Sequence, residues 1–474
     1  MTADGKAPTL TDAKGMGGVL AQDGFSYQVW DGLVRLPAWL ANPAFEELIF
    51  EGLEDLEARF FAPQAAPRFR LLERFQAKFG ALAPAEVREV LESFFSFEQA
   101  FPRAARVQSL VTPRLPPTVS WLSRDPSRVR RARPFYAPFS DVAAASDAQL
   151  RTDLVKAYGE SLGGFVAEAV EVTERNLPNR DSALQAFGLA LERTYPTLEV
   201  SRRRIEDGFE ALSGLAARSI GAPISRVELL RTLEGALSQK LPLPASFPLH
   251  VRSDRNEADE TALEIDASAF SGGSATFPDP VRWTEELLAP LERTARWIRA
   301  RGISRVALGG SYRLSTAFAL GWSLRSAIGF ELEIPTREGA WRTDDRPQAG
   351  DADLAWRLEQ PTSLDDDHLV VSVGVLRDPS ADLSATAGAS ADTIMNAYLS
   401  EPLTSARAAQ ASAGLVKRAV DAAAGRLKPS GIKLFIAGPA AFAVALGHRW
   451  NAMPPTQMHE FLAAERRYVP TVRL

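Results

Sequence analysis

Asp55 and the triplet Gln76-Ala77-Lys78 are the residues whose types and spacing best suit chemistry. Acidic side chains at one strand end bind Mg2+ (or Mn2+) through oxygen ligands. Such an ion positions and acidifies a water for attack on a phosphodiester. A lysine on the adjacent strand, two residues past a polar ligand, orients that water and offsets charge in the transition state. Glu51 supplies a second acid, in competition with Glu54 and Glu57. The same D…QxK spacing also arises in strands that merely have a polar outer face.

These side chains need two strands and a helix. Within residues 45–61, FEELIFEGLEDLEARFF, Leu48, Ile49 and Phe50 read as strand, and Leu56, Phe60 and Phe61 resume an apolar pattern. Residues 68–80 alternate as a second strand, with Phe69, Leu71, Phe75 and Ala77 on one side and Arg74, Gln76 and Lys78 on the other. Upstream, Phe25, Val29, Leu33, Leu36 and Leu40 recur at helical spacing, and Asp23 is placed to cap a helix beginning near Gly24. Residues 101–134 carry eight arginines against Asp125 alone. Arg124, Arg128, Arg130 and Arg131 lie in a segment, SRDPSRVRRARP, that reads as an exposed loop. Such a cluster neutralises DNA phosphates without reading sequence, or it is a solvated face.

A second kind of chemistry lies in two small-residue turns. Ile432, Leu434, Phe435 and Ile436 read as a buried strand that enters a helix through the turn Ala437, Gly438 and Pro439, with Pro439 suited to the first helical position. Free backbone N–H groups and the helix dipole at such a turn hold an anion. An earlier segment, SRVALGGSYRLSTAFALG, repeats the arrangement with a turn of Gly309, Gly310, Ser311 and Tyr312. Both segments close on AxALG, at Ala317–Gly321 and Ala443–Gly447. The repeated order of strand and helix predicts a pseudo-duplicated, parallel α/β unit whose ligands bind at the C-terminal strand ends. Ser372, near the end of the strand 368–375, adds to those ends. Neither turn is followed by a Walker lysine and no GxGxxG occurs, which disfavours a nucleotide-hydrolysing or dinucleotide site.

The remaining features set bounds. At 474 residues, two to three domains are expected. With no cysteine and only four histidines, thiolate chemistry is excluded and a histidine-rich zinc site is disfavoured. The net charge of −5 makes any polyanion site a local patch. No apolar run approaches the roughly 18 residues of a membrane span, and no signal-peptide stretch opens the chain, so a cytoplasmic protein without membrane contact is expected. Three regions are expected: residues 1–135, a helical connector over 136–245, and a second domain over 246–474 after the proline-rich LPLPASFPLH.

Gly24-Phe25, Tyr27-Gln28, Glu51, Asp55, Gln76 and Lys78 together resemble the restriction-endonuclease-like, PD-(D/E)xK nuclease domain of certain anti-phage effectors, in which glutamine replaces the usual second acid. The resemblance implies an α/β nuclease fold with Asp55, Gln76 and Lys78 as its active site, Gln28 approaching from the helix, and Asp55, Gln76 and Glu51 around the metal. The ending IAGPAAFAVALGHRWN…PPTQMHEF is similar to the SAVED domain, with Gly438, Pro439, Pro454, Pro455, Gln457 and Phe461 as its distinctive residues. SAVED consists of two fused CARF-like (Rossmann-like) units. Trp341 fits the family pattern and either stacks on a base or is buried; Arg337 and Arg342 flank it as phosphate contacts. A nuclease joined to SAVED is the layout of CBASS effector endonucleases. It implies a cyclic tri- or tetranucleotide made by a partner nucleotidyltransferase (a CD-NTase), ligand-driven self-oligomerisation, and Mg2+-dependent cleavage of double-stranded DNA. Two other readings stay open: a sensor whose N-terminal domain is inactive or acts on RNA, and a binding or scaffold protein without nuclease.

Overall fold

Helical periodicity carries the first element further back than its expected cap. In the computed structural model, which describes residues 13–64, 71–132, 136, 140–253, 261–272, 276–337, 339–345, 354–387, 390–463 and 465–474, α1 spans Ala13–Ala41. Asp23 therefore lies inside the helix. An interior aspartate disfavours a helix by less than about 1 kcal/mol, too little to stop it. Tyr27, Leu33, Leu36 and Leu40 form the buried stripe of α1.

The apolar runs that follow build one sheet. Strands β1 (Phe45–Phe50), β2 (Leu56–Phe60) and β3 (Leu71–Ala77) are successive antiparallel neighbours. The start expected for the last of these, residues 68–70, falls outside the described residues. Helix α2 (Pro84–Ala100) then crosses to β4 (Ala105–Thr112), which runs parallel to β3. The expected loop around Arg124–Arg131 is instead a helix, α3 (Trp121–Ala132). Leu122, Pro126 and Val129 recur at helical spacing on its inner side, a pattern masked in the sequence by serine, proline and arginine.

Residues 136–245 do not form a separate helical connector. After α4 (Ser140–Tyr158) and α5 (Glu160–Ala169), the β-branched run Val170–Glu174 forms β5 and adds to β4 in parallel. Helices α6 (Arg180–Thr194) and α7 (Arg202–Arg218) follow, then a two-residue β6 (Ile224–Ser225) on the far edge and α8 (Arg226–Leu237). Ser225 caps α8 by accepting from the Glu228 N–H at 3.3 Å, as the S-x-x-E spacing predicts. The sheet order is β5-β4-β3-β2-β1-β6. The chain divides into two compact units at Leu243 and Pro244, inside the proline-rich stretch, and not at residue 135.

The second unit holds two sheets. In the first, β7 (Phe247–Arg252), β8 (Leu263–Asp266), β9 (Arg305–Ser311) and β10 (Glu331–Thr336) are parallel, with β11 (Gly339–Arg342) antiparallel at the edge. Helix α9 (Pro280–Arg282) passes through a π-helical turn (Trp283–Leu288) into α10 (Ala289–Ala300). Pro290, which lacks an N–H, accounts for the altered bonding there. Helix α11 (Leu314–Ser323) follows β9. In the second sheet, β13 (His368–Val375), β14 (Ile394–Leu399), β15 (Gly431–Ala437) and β16 (Thr456–Leu462) are parallel, between antiparallel edges β12 (Arg357–Glu359) and β17 (Arg467–Arg473). Helices α12 (Ser380–Ala387), α13 (Ala406–Leu427) and α14 (Ala440–Arg449) connect them. Between β13 and α13 the chain thus forms both α12 and the strand β14.

The duplicated AxALG has a packing cause. Helices α11 and α14 cross so closely that a Cβ on Gly321 would lie 2.1 Å from the Val444 carbonyl oxygen, and one on Gly447 would lie 2.2 Å from the Phe318 carbonyl oxygen. Phe318 and Val444 occupy the same place in the two motifs, so the contact is reciprocal about a pseudo-two-fold. Gly321→Ala or Gly447→Ala should each cost about 1–3 kcal/mol through forced separation of the helices. A denaturant midpoint unchanged in both variants would contradict this packing.

Candidate functional site

Residues Glu51–Leu56 form the tight connection between β1 and β2. The Glu51 N–H donates to the Asp55 carbonyl at 3.0 Å, and the Gly52 N–H to the Glu54 carbonyl at 2.9 Å. Three carboxylates have distinct tasks here. Glu57, almost fully buried, accepts from the Leu53 N–H at 2.5 Å and from the Glu54 N–H at 3.3 Å. Glu54 forms a buried ion pair with Arg74 at 2.6 Å. Arg74 also donates to the Gln108 side chain at 2.8 Å and lies 3.6 Å over the Phe97 ring. Arg74 was expected on an outward face; its charge is instead absorbed by these contacts.

That leaves Asp55 to face the adjacent strand. One carboxylate oxygen accepts from the Gln76 side-chain amide and from the Ala77 N–H, both at 2.8 Å. Gln28, on α1, donates to the same carboxyl. Burial pushes the Asp55 carboxyl above its usual value, against the opposing pull of Lys78 and these hydrogen bonds. Asp55, Gln76, Lys78 and Gln28 are thus brought together. Glu51 is not among them: it is exposed, at a left-handed φ of 55°. The acid that shares the field of Asp55 and Lys78 is Glu54, whose carboxyl burial also raises.

Gln28 is only 9% exposed, and its Oε1 is buried with no hydrogen-bond partner. A buried orphan carbonyl beside a carboxylate fits a hard cation, which takes oxygen donors. No group of three or more His, Cys, Asp or Glu is arranged as a metal site among the described residues. The donor set here is one carboxylate with amide oxygens.

α1 is itself pinned by a buried network. Asp31, with no exposure, pairs with Arg175 at 2.5 Å and Arg35 at 2.9 Å, and the Tyr27 hydroxyl donates to the Arg175 carbonyl at 2.8 Å. On α3, Arg124, Arg128 and Arg131 recur at helical spacing on an exposed face, and Arg124 also pairs with Asp125. Arg130 points elsewhere and pairs with Glu171 at 2.5 Å.

In the second unit, the ligand residues expected from the sequence separate into three groups. Gly309 and Gly310 end β9, and neighbouring β7 requires both: added Cβ atoms would lie 2.2 Å from the His250 ring and 2.1 Å from the Val251 carbonyl oxygen. The adjoining helix terminus is not free. The first-turn N–H of Ser315 donates to the buried Glu460 carboxylate at 2.6 Å, and the Ser315 hydroxyl meets Thr471 at 2.7 Å. Ser311 is exposed beside this terminus, and burial pushes the Tyr312 phenol up to about 12.

Trp341 is buried in β11 and not presented for stacking. Arg342 pairs opposite Glu333 near the middle of β10, away from its C-terminal end, and Glu333 and Asp344 engage its guanidinium at 3.7 and 3.4 Å. Ser372 is fully buried within β13, with an unpartnered hydroxyl. Gly438 and Pro439 do lie at a C-terminal strand end. Pro439 is the N-cap of α14 rather than its first residue, and its side chain makes no capping hydrogen bond.

Sequence reading missed Arg313 and Arg377. With Arg337, they are exposed and follow the C-terminal ends of β9, β13 and β10 within two residues. Arg377 lies 5.0 Å over the Phe461 ring, and Arg313 acts on the adjacent Glu460 carboxylate. An arginine within two residues past three of the parallel strands was the available signal.

The second unit is thus two mostly parallel sheets linked by the α11–α14 crossing, with cationic side chains at several strand ends; residues 290–474 of it match a known domain family. That family is SAVED, the SMODS-associated and fused to various effectors sensor domain. Beyond that domain, the chain is similar to CD-NTase-associated protein 4 of Acinetobacter sp., at 25% identity over 98% of this chain and 99% of that protein. It is 24% identical over the same shares to CD-NTase-associated protein 4 of Moraxella osloensis. Among solved structures, the Acinetobacter baumannii Cap4 SAVED/CARF-domain containing receptor with the cyclic trinucleotide 2'3'3'-cAAA superposes with a TM-score of 0.76 at 23% identity, covering 95% of this chain and 98% of that one. The α/β fold and the C-terminal SAVED domain expected from the sequence are borne out. Among the described residues, no helix is long and apolar enough to cross a membrane.

Burial of the Asp55 carboxylate implies a trade of stability for function. Its raised value means that the charged form carries a folding penalty that is fully present above that value and vanishes as pH falls toward 3.8. Asp55→Asn should therefore melt a few degrees higher than wild type at neutral pH, with the gap closing on acidification. Millimolar Mg2+ should raise the melting temperature of the wild type and not of the variant. A variant less stable at pH 7, or equally stabilised by Mg2+, would remove Asp55 from this role.

Proposed function

We propose that this protein is a cyclic-oligonucleotide-activated, Mg2+-dependent endonuclease that degrades double-stranded DNA in CBASS anti-phage defence. The observation that carries the reading is the presence, in one chain, of a SAVED domain and the Asp55–Gln76–Lys78 constellation at the adjoining start of β2 and end of β3. The relatives support the sensing half: they are CD-NTase-associated proteins, and the A. baumannii receptor holds a cyclic trinucleotide. A cyclic tri- or tetranucleotide from a CD-NTase is the ligand, and its binding favours self-assembly in the cytoplasm. Ligand must bind the active assembly more tightly than the resting state, or it would switch nothing.

In the N-terminal unit, Asp55 and the Gln28 Oε1 would hold Mg2+ (or Mn2+), with Gln76 orienting the Asp55 carboxyl. When bound, the ion neutralises the scissile phosphate and acidifies the attacking water. The Lys78 ammonium offsets the charge that develops on the phosphoryl oxygens. Arg124, Arg128 and Arg131 contact backbone phosphates from one face of α3 and give affinity without sequence preference.

The test combines plasmid DNA, Mg2+ and the protein, with and without a panel of cyclic oligonucleotides. Cleavage should require both ligand and Mg2+, and Asp55→Ala and Lys78→Ala should each lower it by about 100-fold or more. Cleavage that persists in both variants would refute the site. Cleavage without ligand would refute the gating, and RNA cleaved in place of DNA would change the substrate.

A further inference from the structure

The turn that aims Asp55 also presents an apolar side chain that the fold does not use. Leu53 is 71% exposed, more than any other large apolar residue among the described residues. Its position is stiffly held. The N–H groups of Leu53 and Glu54 donate to the Glu57 carboxylate at 2.5 and 3.3 Å. The Glu51 N–H and the Gly52 N–H close the turn onto the carbonyls of Asp55 and Glu54. Glu57 is itself buried, and a buried carboxylate is costly unless it is hydrogen-bonded. A buried anion therefore fixes a turn whose tip is a leucine in water, where polar turn residues are the rule.

A single exposed apolar residue is ordinary, but Leu53 is not alone at this end of the sheet. Phe79 is exposed one residue past Lys78, its ring 5.8 Å from that of Tyr27. Ile220 is exposed beside the turn, because the Gly221 N–H donates to the Phe50 carbonyl at 2.8 Å. Cations border these side chains on one flank. The Lys78 N–H donates to the Val111 carbonyl at 2.8 Å and Ala81 bridges Arg114, so the exposed Arg114 stands at the same sheet end as Lys78. On the other flank, Glu51 is left in solvent, whereas Glu54 is neutralised by Arg74. A polyanion at this end is therefore drawn toward the β3–β4 flank and repelled from the β1 flank.

We propose that Leu53 is a wedge: it enters the base stack of duplex DNA from the minor groove and so sets which phosphodiester lies over Asp55. This rests on the reading of the N-terminal unit as a DNA nuclease. Apolar side chains inserted between base steps partly unstack them and kink the duplex. At most about 7 Å of chain separates the Leu53 and Asp55 Cα atoms, so the opened step and the scissile bond are neighbours. Leu53 is thus a positioning residue, one that touches bases without reading their edges. It directs cleavage toward steps that unstack easily, TA and CA/TG.

Leu53→Ala and Leu53→Met in the full chain, activated by a cyclic triadenylate, test this. Because Leu53 is exposed, both variants should melt with the wild type. A duplex carrying 2-aminopurine at a TA step reports unstacking by its fluorescence, with Ca2+ in place of Mg2+ to keep the complex uncleaved. Wild type and Leu53→Met should raise that fluorescence about two-fold or more, and Leu53→Ala should leave it at the level of free duplex. In Mg2+, Leu53→Ala should cut intact duplex about ten-fold more slowly, and an abasic site, which removes the stacking to be broken, should restore its rate. Wild-type fluorescence or wild-type cutting of intact duplex by Leu53→Ala would overturn the wedge. So would an equal loss on intact and abasic duplex, or a loss that follows impaired self-assembly in sedimentation, which would make the tip a protein contact. If the wild type neither binds nor cuts duplex DNA, the nuclease reading fails and the wedge with it.

Discussion

The close crossing of α11 and α14 is the constraint on which the second unit depends. Gly321 and Gly447 each admit a carbonyl oxygen of the facing helix where any side chain would collide. That contact links the two sheets and brings the helices that leave β9 and β15 together. It also places β16 near the start of α11 and β10 near the start of α14. The surroundings of the crossing are dry: His448 lies beside Gly447, bonds the Leu324 carbonyl at 2.6 Å, and burial pushes its imidazole down to about 4. Strand ends and helix termini face one another because two glycines permit it.

The N-terminal unit uses a different economy of charge. Four acids stand within seven residues of one another, yet the short turn assigns each a separate role. Glu57 satisfies backbone N–H groups, Glu54 neutralises Arg74 in the middle of β3, Glu51 faces solvent, and Asp55 is bonded to Gln76 and Ala77 at the end of β3. The buried Glu54–Arg74 pair is costly to desolvate and so makes little net contribution to stability. It does fix the turn that aims Asp55. Gln28 reaches the same carboxyl because Asp31, Arg175 and Tyr27 hold α1 against the end of β5. Residues far apart in sequence thus set one carboxylate.

What was legible in the sequence followed from periodicity and from local turn chemistry. The alternation within residues 68–80 and the buried apolars from Ile432 to Ile436 located strands, observed at Leu71–Ala77 and Gly431–Ala437, and the S-x-x-E at Ser225 located a cap. Three kinds of feature were hidden. Strands β5 and β14 sit next to helices of similar composition, and only pairing in the sheet distinguishes them. Helix α3 was obscured by Pro126 and by arginines whose apolar counterparts are few. The partner of a polar group across the fold has no local signature: nothing near Ser315 announces Glu460, and nothing near Gln28 announces Asp55. The candidate centre was therefore visible as residue types, and the occupied helix terminus was not.

If, as proposed, the SAVED domain senses a cyclic oligonucleotide and so switches a nuclease in the same chain, binding and cleavage must rise together. The most direct measurement compares two half-saturation points on one preparation: the ligand concentration that half-fills the protein by calorimetry, and the concentration that half-activates cleavage of an end-labelled duplex in Mg2+. The account predicts that the two coincide and that cleavage without ligand stays at background. Full occupancy without cleavage, or cleavage that does not follow occupancy, would contradict it.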